Sequence, residues 1–464
     1  MGDALALGLL LSCLSTSPGT ADTVHLKGGR TLHLQECRRD GAELKCAHAG
    51  GVIGIPLDQV ESIERSPAPQ PAAGRTTSPT PAALAPQPLP PDLETSGAAT
   101  GTLTVATARA RIDQINDPGA VPGDLTAAGR HELSVLYCFL GNDAMTSHRY
   151  DEAVDLYHSA LTHDPKLLVA RLNLCTAMID MNRPDDAVAL LKTLLSEQPG
   201  NARALELMGE ACMQAGRVDE AIDWWEKRQA INPGAGVQAR LDRARRLRQA
   251  EEGFQRSDAA HFSMKFDGEQ ASPQLATEIL SYLEESLSGL SSRFAHYPVG
   301  VIQVTLYSRQ AFLGATESPD WVGGLFDGQI RMPIGGLSHL TPQVRRVLMH
   351  ELTHCIVTSK SHGNAPQWIQ EGIAQVCEGK SDSAHRVALR QAYEATGGAA
   401  GAGEFSYPRA LSQIEFFLRT WSDSHLNDLL DHLGRGTDID AAFRAVTGLS
   451  YAEFLKAWGE SLDV

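Results

Sequence analysis

The chain has 464 residues, 42% hydrophobic and 21% charged, with a formal net charge of −16. That length exceeds what a single hydrophobic core supports, so two or three folded units are expected. The acidic balance argues against a nucleic-acid partner, which needs a basic face toward phosphate. No apolar run of about 20 residues lies beyond the N-terminus, so no transmembrane helix is expected in a mature chain.

The opening "MGDALALGLLLSCLSTSPGTADT" reads as a signal peptide over residues 1–21, with an apolar stretch too short to span a bilayer and small residues before Ala21. Export to the periplasm or the medium is the expectation, although Asp3 stands where a signal peptide usually carries Lys or Arg. "LLSC", ending at Cys13, offers lipid anchoring as a less favoured alternative, because a leucine directly before Ser12 fits a lipobox poorly.

Residues 22–64 alternate apolar and polar side chains between Gly-Gly and Asp-Gly turns, the pattern of several short strands. They resemble the small β modules near the N-termini of exported bacterial proteins, which implies a structural appendage without chemistry. Cys37 and Cys46 would face each other across a hairpin, and a disulfide there would suit an exported protein. Residues 65–101 read as a disordered linker: nine of the 24 prolines fall there among Ala, Ser and Thr.

Over residues 102–252 a repeat emerges. Ala153, Ala187 and Ala221 are 34 residues apart, as are Pro165, Pro199 and Pro233. Gly141, Cys175 and Gly209 hold the matching small position one helix earlier. The segment resembles the tetratricopeptide repeat, in which paired helices pack at small residues and proline ends the second helix. Three such hairpins suffice for a stack, closed by the polar helix "ARLDRARRLRQAEEGF". The resemblance implies a protein partner on the repeats, with a rigid spacer as the alternative.

From 255 to 464 the pattern is mixed. "HFSMKF" and "VIQVTLY" read as strands around a helix beginning near Ser272, and a glycine-rich turn leads to a strand at Gln329–Ile334. Thr341 and Pro342 mark the N-cap and first position of a helix whose apolar stripe is Val344, Val347, Leu348 and Leu352. That helix contains "HELTH". His350 and His354 lie one turn apart and project from nearly the same line, where both can reach one divalent ion. Glu351, one step round, can reach a water on that ion.

The motif alone would leave the question open. Seventeen residues after His354, Glu371 falls in what reads as the first turn of a second helix, in "APQWIQEGIAQVCEG". There it would face the favourable end of the helix dipole, with Gly372 and Ala374 permitting close approach to the first helix. Two histidines and one carboxylate leave a fourth zinc position open, the arrangement of a catalytic site.

"HELTH" followed by "W-x-x-E-G-x-A" resembles the gluzincin zinc peptidases, and residues 261–464 resemble the bacterial peptidase-MA-like domains. The resemblance implies one zinc ion held by His350, His354 and Glu371, with Glu351 as general base. It implies a substrate-binding edge strand near Gln329–Pro333, and Tyr407 as a donor to the developing oxyanion. Pro408 and Arg409 depart from the usual residues after that tyrosine. Gln375 stands where some gluzincins carry an aspartate that orients a zinc histidine; Glu378, one turn further, is another candidate for that role, with a solvated position as the favoured reading. Cys355 and Cys377 read as core thiols, with a disulfide as the lesser alternative.

The expected protein is therefore multidomain: a small N-terminal β module, an all-α array of tetratricopeptide hairpins and an α+β, thermolysin-like gluzincin domain. Its expected activity is zinc-dependent hydrolysis of a peptide or protein substrate. The alternative is a scaffold protein with an inactive peptidase-like domain, against which the intact His350, Glu351, His354 and Glu371 argue.

Overall fold

The computed structural model describes residues 85–89, 103–116, 126–269, 271–316, 323–334, 337–395 and 405–463, with the backbone of five N-terminal strands. Two compact units divide the chain, Met1–Thr76 and Thr77–Val464. Residues 1–20 of the expected signal peptide, with Cys13, lie outside the described residues, as does most of 65–101.

The first unit contains β1 (Ala21–Leu26), β2 (Thr31–Asp40), β3 (Glu43–His48), β4 (Gly51–Pro56) and β5 (Val60–Glu64). They form an antiparallel sheet in the order β4-β3-β2-β1-β5. The register between β2 and β3 shifts between Gln35, paired with Ala47, and Arg38, paired with Lys45. Cys37 falls in that irregularity, across from Cys46 in the other strand. The side chains of both, and so the disulfide, lie outside the described residues.

The second unit begins with α1 (Val105–Asn116), which is joined to α2 (Ala127–Thr146) by Arg111 and Glu132. Three helical hairpins follow: α2 with α3 (Tyr150–His163), α4 (Leu168–Asp180) with α5 (Pro184–Glu197), and α6 (Ala202–Gln214) with α7 (Val218–Ile231). The 34-residue period has physical content at several points. His148, Asn182 and Gly216 take positive φ at 55°, 58° and 75°, reversing the chain between the two helices of each pair. The next residues, Arg149, Arg183 and Arg217, donate their N–H groups back to the carbonyls of Ala144, Met178 and Cys212. Each arginine also pairs with an acid three residues on.

Packing inside the hairpins is complementary in size. A Cβ on Gly141 would lie 2.6 Å from the Tyr157 ring, and one on Gly209 would overlap the Trp225 indole. The corresponding position of the middle hairpin is Leu191, fully buried, and there Cys175 replaces glycine. Small residues thus sit opposite the large aromatic ones. The array closes with α8 (Ala235–Ala250).

A mixed five-stranded sheet follows: β6 (Gln255–Asp258), β7 (Phe262–Phe266), β8 (Ile302–Tyr307), β9 (Leu325–Phe326) and β10 (Ile330–Pro333), ordered β6-β7-β8-β10-β9. The helix after β7, α9 (Pro273–Phe294), starts at the Ser272 cap and buries Leu275, Ile279, Leu283, Leu287 and Leu290. β8 leads into α10 (Arg309–Thr316). After β10 come α11 (Pro342–Lys360), α12 (Gln367–Cys377), α13 (Arg386–Ala395), α14 (Tyr407–Thr420), α15 (Asp423–Gly434), α16 (Ile439–Thr447) and α17 (Tyr451–Glu460). The sheet, α9, α11 and the later helices share one apolar core. Among the described residues no helix is long and apolar enough to cross a membrane.

Two expectations change. β10 is not the edge strand: β9 pairs with it at Ile330 and Arg331. The residues there also serve the junction with the repeats. Gln329 donates to the Met213 carbonyl at 2.9 Å, and the buried Arg331 guanidinium contacts Glu251, Asp327 and the Tyr307 hydroxyl. Second, the proline-rich stretch is not wholly unstructured, since Leu89 is only 4% exposed within the core of the repeat array.

Candidate metal centre

Thr341 caps α11 by accepting a hydrogen bond from the Val344 N–H at 3.3 Å, and Pro342 takes the first helical position. Leu348, Leu352 and Ile356 anchor one face of the helix in the core. The opposite stripe therefore turns His350 and His354 toward α12, with their Nε2 atoms 3.1 Å apart. Glu371 Oε2 lies 3.4 Å from His350 Nε2 and 3.7 Å from His354 Nε2. One ligand atom from each of the three residues falls within 4.8 Å of the others.

Glu371 is the fifth residue of α12, beyond the first turn where the helix dipole acts most strongly. Its position comes from packing. Trp368 stacks on Tyr451, with ring centroids 5.7 Å apart, and on Phe454. A Cβ on Gly372 would collide with the Ala410 carbonyl 2.5 Å away. The glycine thus allows close approach to α14, rather than to α11 as its spacing suggested.

These residues fit a divalent cation. Glu371 Oε2 is buried without a hydrogen-bond partner, among two imidazole nitrogens. A buried carboxylate oxygen left so is costly unless a cation occupies the space before it. Burial works against charge on His350, but contacts with Glu371 and Glu378 prevail and push its pKa up to about 10. Burial, with the adjoining His350 charge, pushes His354 down to about 4. Burial alone would raise Glu371, yet the two histidines hold it below the usual carboxylate range. The buried carboxylates thus favour positive charge at the cluster.

Glu351 is buried, and burial raises its pKa to about 7, near the value that suits a general base at neutral pH. Its carboxylate lies over Gly324, where an added Cβ would come 2.8 Å from Oε1. Only glycine leaves that space open.

Glu378 takes the less favoured of its two sequence readings. It is not solvated: its side chain is 7% exposed, with Oε2 3.2 Å from His350 Nδ1 and Lys380 on its other oxygen. A carboxylate behind a metal-binding histidine fixes the ring and raises its basicity. Glu378 lies seven residues, two turns, after Glu371, and that spacing was the available signal. Gln375 makes no such contact, because its Nε2 donates to the carbonyls of Glu371 and Tyr407 at 3.1 and 3.0 Å. Those bonds tie the start of α14 to α12. The Tyr407 ring packs edge-on to Phe405, with centroids 5.1 Å apart. Cys355 and Cys377 are both free thiols, which removes the disulfide alternative; the Cys377 sulfur lies 3.5 Å from Arg293 Nη1.

A cavity of about 760 Å³ opens between the repeats and the C-terminal region, lined by Met213, Trp225, Gln329, Thr358 and Asn364 among others. None of the three candidate ligands lines it, so it is distinct from the metal centre.

Comparison with known proteins agrees with this division. Residues 144–198 and 181–244 match the tetratricopeptide repeat family, and residues 296–463 match the Peptidase MA superfamily. Among solved structures, the first TPR domain of the human RPAP3 protein aligns at 20% identity, covering 25% of this chain and 92% of that chain, with a TM-score of 0.24. The TPR2AB domain of yeast Sti1, from a complex with pHSP90, aligns at 13% identity, covering 65% and 98%, with a TM-score of 0.25. Such scores carry no argument about fold. The chain carries tetratricopeptide repeats and a Peptidase MA superfamily domain.

Proposed function

We propose that this protein is a zinc-dependent peptidase of the gluzincin type, exported from the cell, whose repeats engage a protein partner. The observation that carries the reading is the convergence of His350, His354 and Glu371 within 4.8 Å, beside the buried Glu351. Two imidazoles and one carboxylate are a donor set suited to zinc with an open position. A bound zinc ion would supply Lewis acidity toward a carbonyl and a water of lowered pKa.

The protein's own groups do the rest. His350, His354 and Glu371 would hold the ion, and Glu378 would fix the His350 ring from behind. Glu351 accepts a proton from the attacking water and delivers it to the leaving amine nitrogen as the peptide bond breaks. Tyr407 is the proposed hydrogen-bond donor to the developing oxyanion. Substituting it with phenylalanine should lower kcat while leaving zinc content unchanged.

The thermolysin-like domain is assigned to residues 255–464, with the repeats over 102–252. The scaffold alternative is less favoured, since His350, Glu351, His354 and Glu371 are all present. Zinc content and casein cleavage with and without a chelator test the proposal. One zinc per chain and chelator-sensitive cleavage are expected, with both lost in His354→Ala. Metal-free protein that still cleaves would refute it.

A further inference from the structure

The first helices of the three hairpins, α2, α4 and α6, share a face that is already occupied. Across it runs Ala85–Leu89, "APQPL", from the proline-rich stretch. One asparagine reads both backbone groups of the central residue: the Gln87 N–H donates to Asn173 Oδ1 at 2.8 Å, and Asn173 Nδ2 donates to the Gln87 carbonyl at 2.9 Å. Asn142 Nδ2 donates to the same carbonyl at 3.1 Å. The two asparagines are locked together, since Asn142 Oδ1 accepts from Asn173 Nδ2 at 2.7 Å and from the Tyr157 hydroxyl at 2.9 Å. On the third hairpin, Arg203 Nη2 donates to the Ala85 carbonyl at 3.2 Å. Asn173 is fully buried, and Leu89 inserts into the apolar core of the array.

The composition of the segment matches this arrangement. Pro86 and Pro88 have no N–H, so Gln87 presents the single backbone donor between them, and Asn173 accepts it. Proline on both sides favours the extended chain before docking, which lowers the ordering cost. The recognised features are main-chain groups of one extended residue, flanking prolines and an apolar anchor two residues on. No bond to the Gln87 side chain takes part in this set.

We propose that the repeat face is a receptor for an extended Pro-x-Pro-apolar peptide, and that Ala85–Leu89 is its resident ligand, held in cis and closing the face to other peptides of that class. A segment tethered in the same chain competes at an effective concentration on the order of millimolar. Peptides in trans at micromolar concentration are therefore excluded until the segment is displaced. The inference does not depend on the peptidase reading.

The test uses the full-length protein and a fluorescent synthetic peptide covering residues 82–92, with binding followed by anisotropy. The double variant Gln87→Pro/Leu89→Asp removes the read N–H and the apolar anchor in the tether while leaving every repeat residue intact. It should bind the peptide at least tenfold more tightly than wild type, and adding Asn173→Ala should abolish that gain. Limited proteolysis should cut the tether faster in the double variant than in wild type, with the helical circular-dichroism signal of the array retained and its melting temperature lowered by loss of the docked segment. Equal binding by wild type and double variant would overturn the closure in cis. Failure of both to bind would overturn the receptor assignment.

Discussion

The repeat array and the metal centre are stabilised on different length scales. In the array, the reversal at His148, the pairing of Arg149 with Glu152 and the contact of Gly141 with Tyr157 all fall within about 20 residues, and equivalents recur 34 residues later. Each hairpin depends on itself and its neighbours. At the candidate metal centre, α11 and α12 supply His350, His354 and Glu371, but Gly324 clears space for Glu351, and α14, α16 and α17 position α12. A periodic unit is self-contained, whereas the candidate metal centre draws on the whole domain.

That contrast predicts where substitutions act. The largest effect short of removing a ligand should come from Glu378→Gln, which keeps the shape behind His350 but removes the charge. Metal affinity should fall on the order of 10–100-fold, measured by competition with a chelator, with little change in the melting temperature. Unchanged affinity would mean that the carboxylate does not tune His350, and the contrast would lose its main support on the catalytic side.

Next, Gly209→Ala drives a Cβ into Trp225 and should cost about 1–3 kcal/mol of stability by urea denaturation. Combining it with Trp225→Leu, which imitates the Leu191 pairing of the middle hairpin, should recover part of that loss. No recovery would show that size matching within hairpins is not what the period encodes.

The smallest effect concerns pH. Burial holds His296 down to about 4, with Lys360 and His362 also disfavouring its charge and Asp431 opposing them; its Nε2 lies 2.8 Å from the Ser359 hydroxyl. The unfolded chain therefore binds more protons between pH 6.5 and 4, and stability should fall as pH drops through that window. Allowing for its partial exposure, the loss is about 1 kcal/mol. His296→Gln should flatten the urea midpoint between pH 7 and pH 5. An unchanged slope would place the acid sensitivity elsewhere.

Much of this was legible in the chain itself. The period located the hairpins because identical contacts repeat, and "HELTH" with Glu371 marked three residues that the structure brings together, because helix geometry places i and i+4 side by side. What escaped were contacts set by tertiary packing. Gln329 and Arg331 looked like a substrate-binding edge, but the junction with Met213 and Glu251 engages them. Glu378 was a candidate for orienting a histidine, but solvation was favoured because its partner is on another helix. The proline-rich stretch looked unfolded because the asparagines that hold Gln87 lie 55 and 86 residues away.

The most direct test of the central claim is zinc content and peptide cleavage measured side by side for wild type and Glu351→Gln. One zinc per chain in both proteins, with cleavage only in wild type, is the predicted result. Cleavage by Glu351→Gln at the wild-type rate would contradict the assignment of Glu351 as the general base, and with it this account of the site.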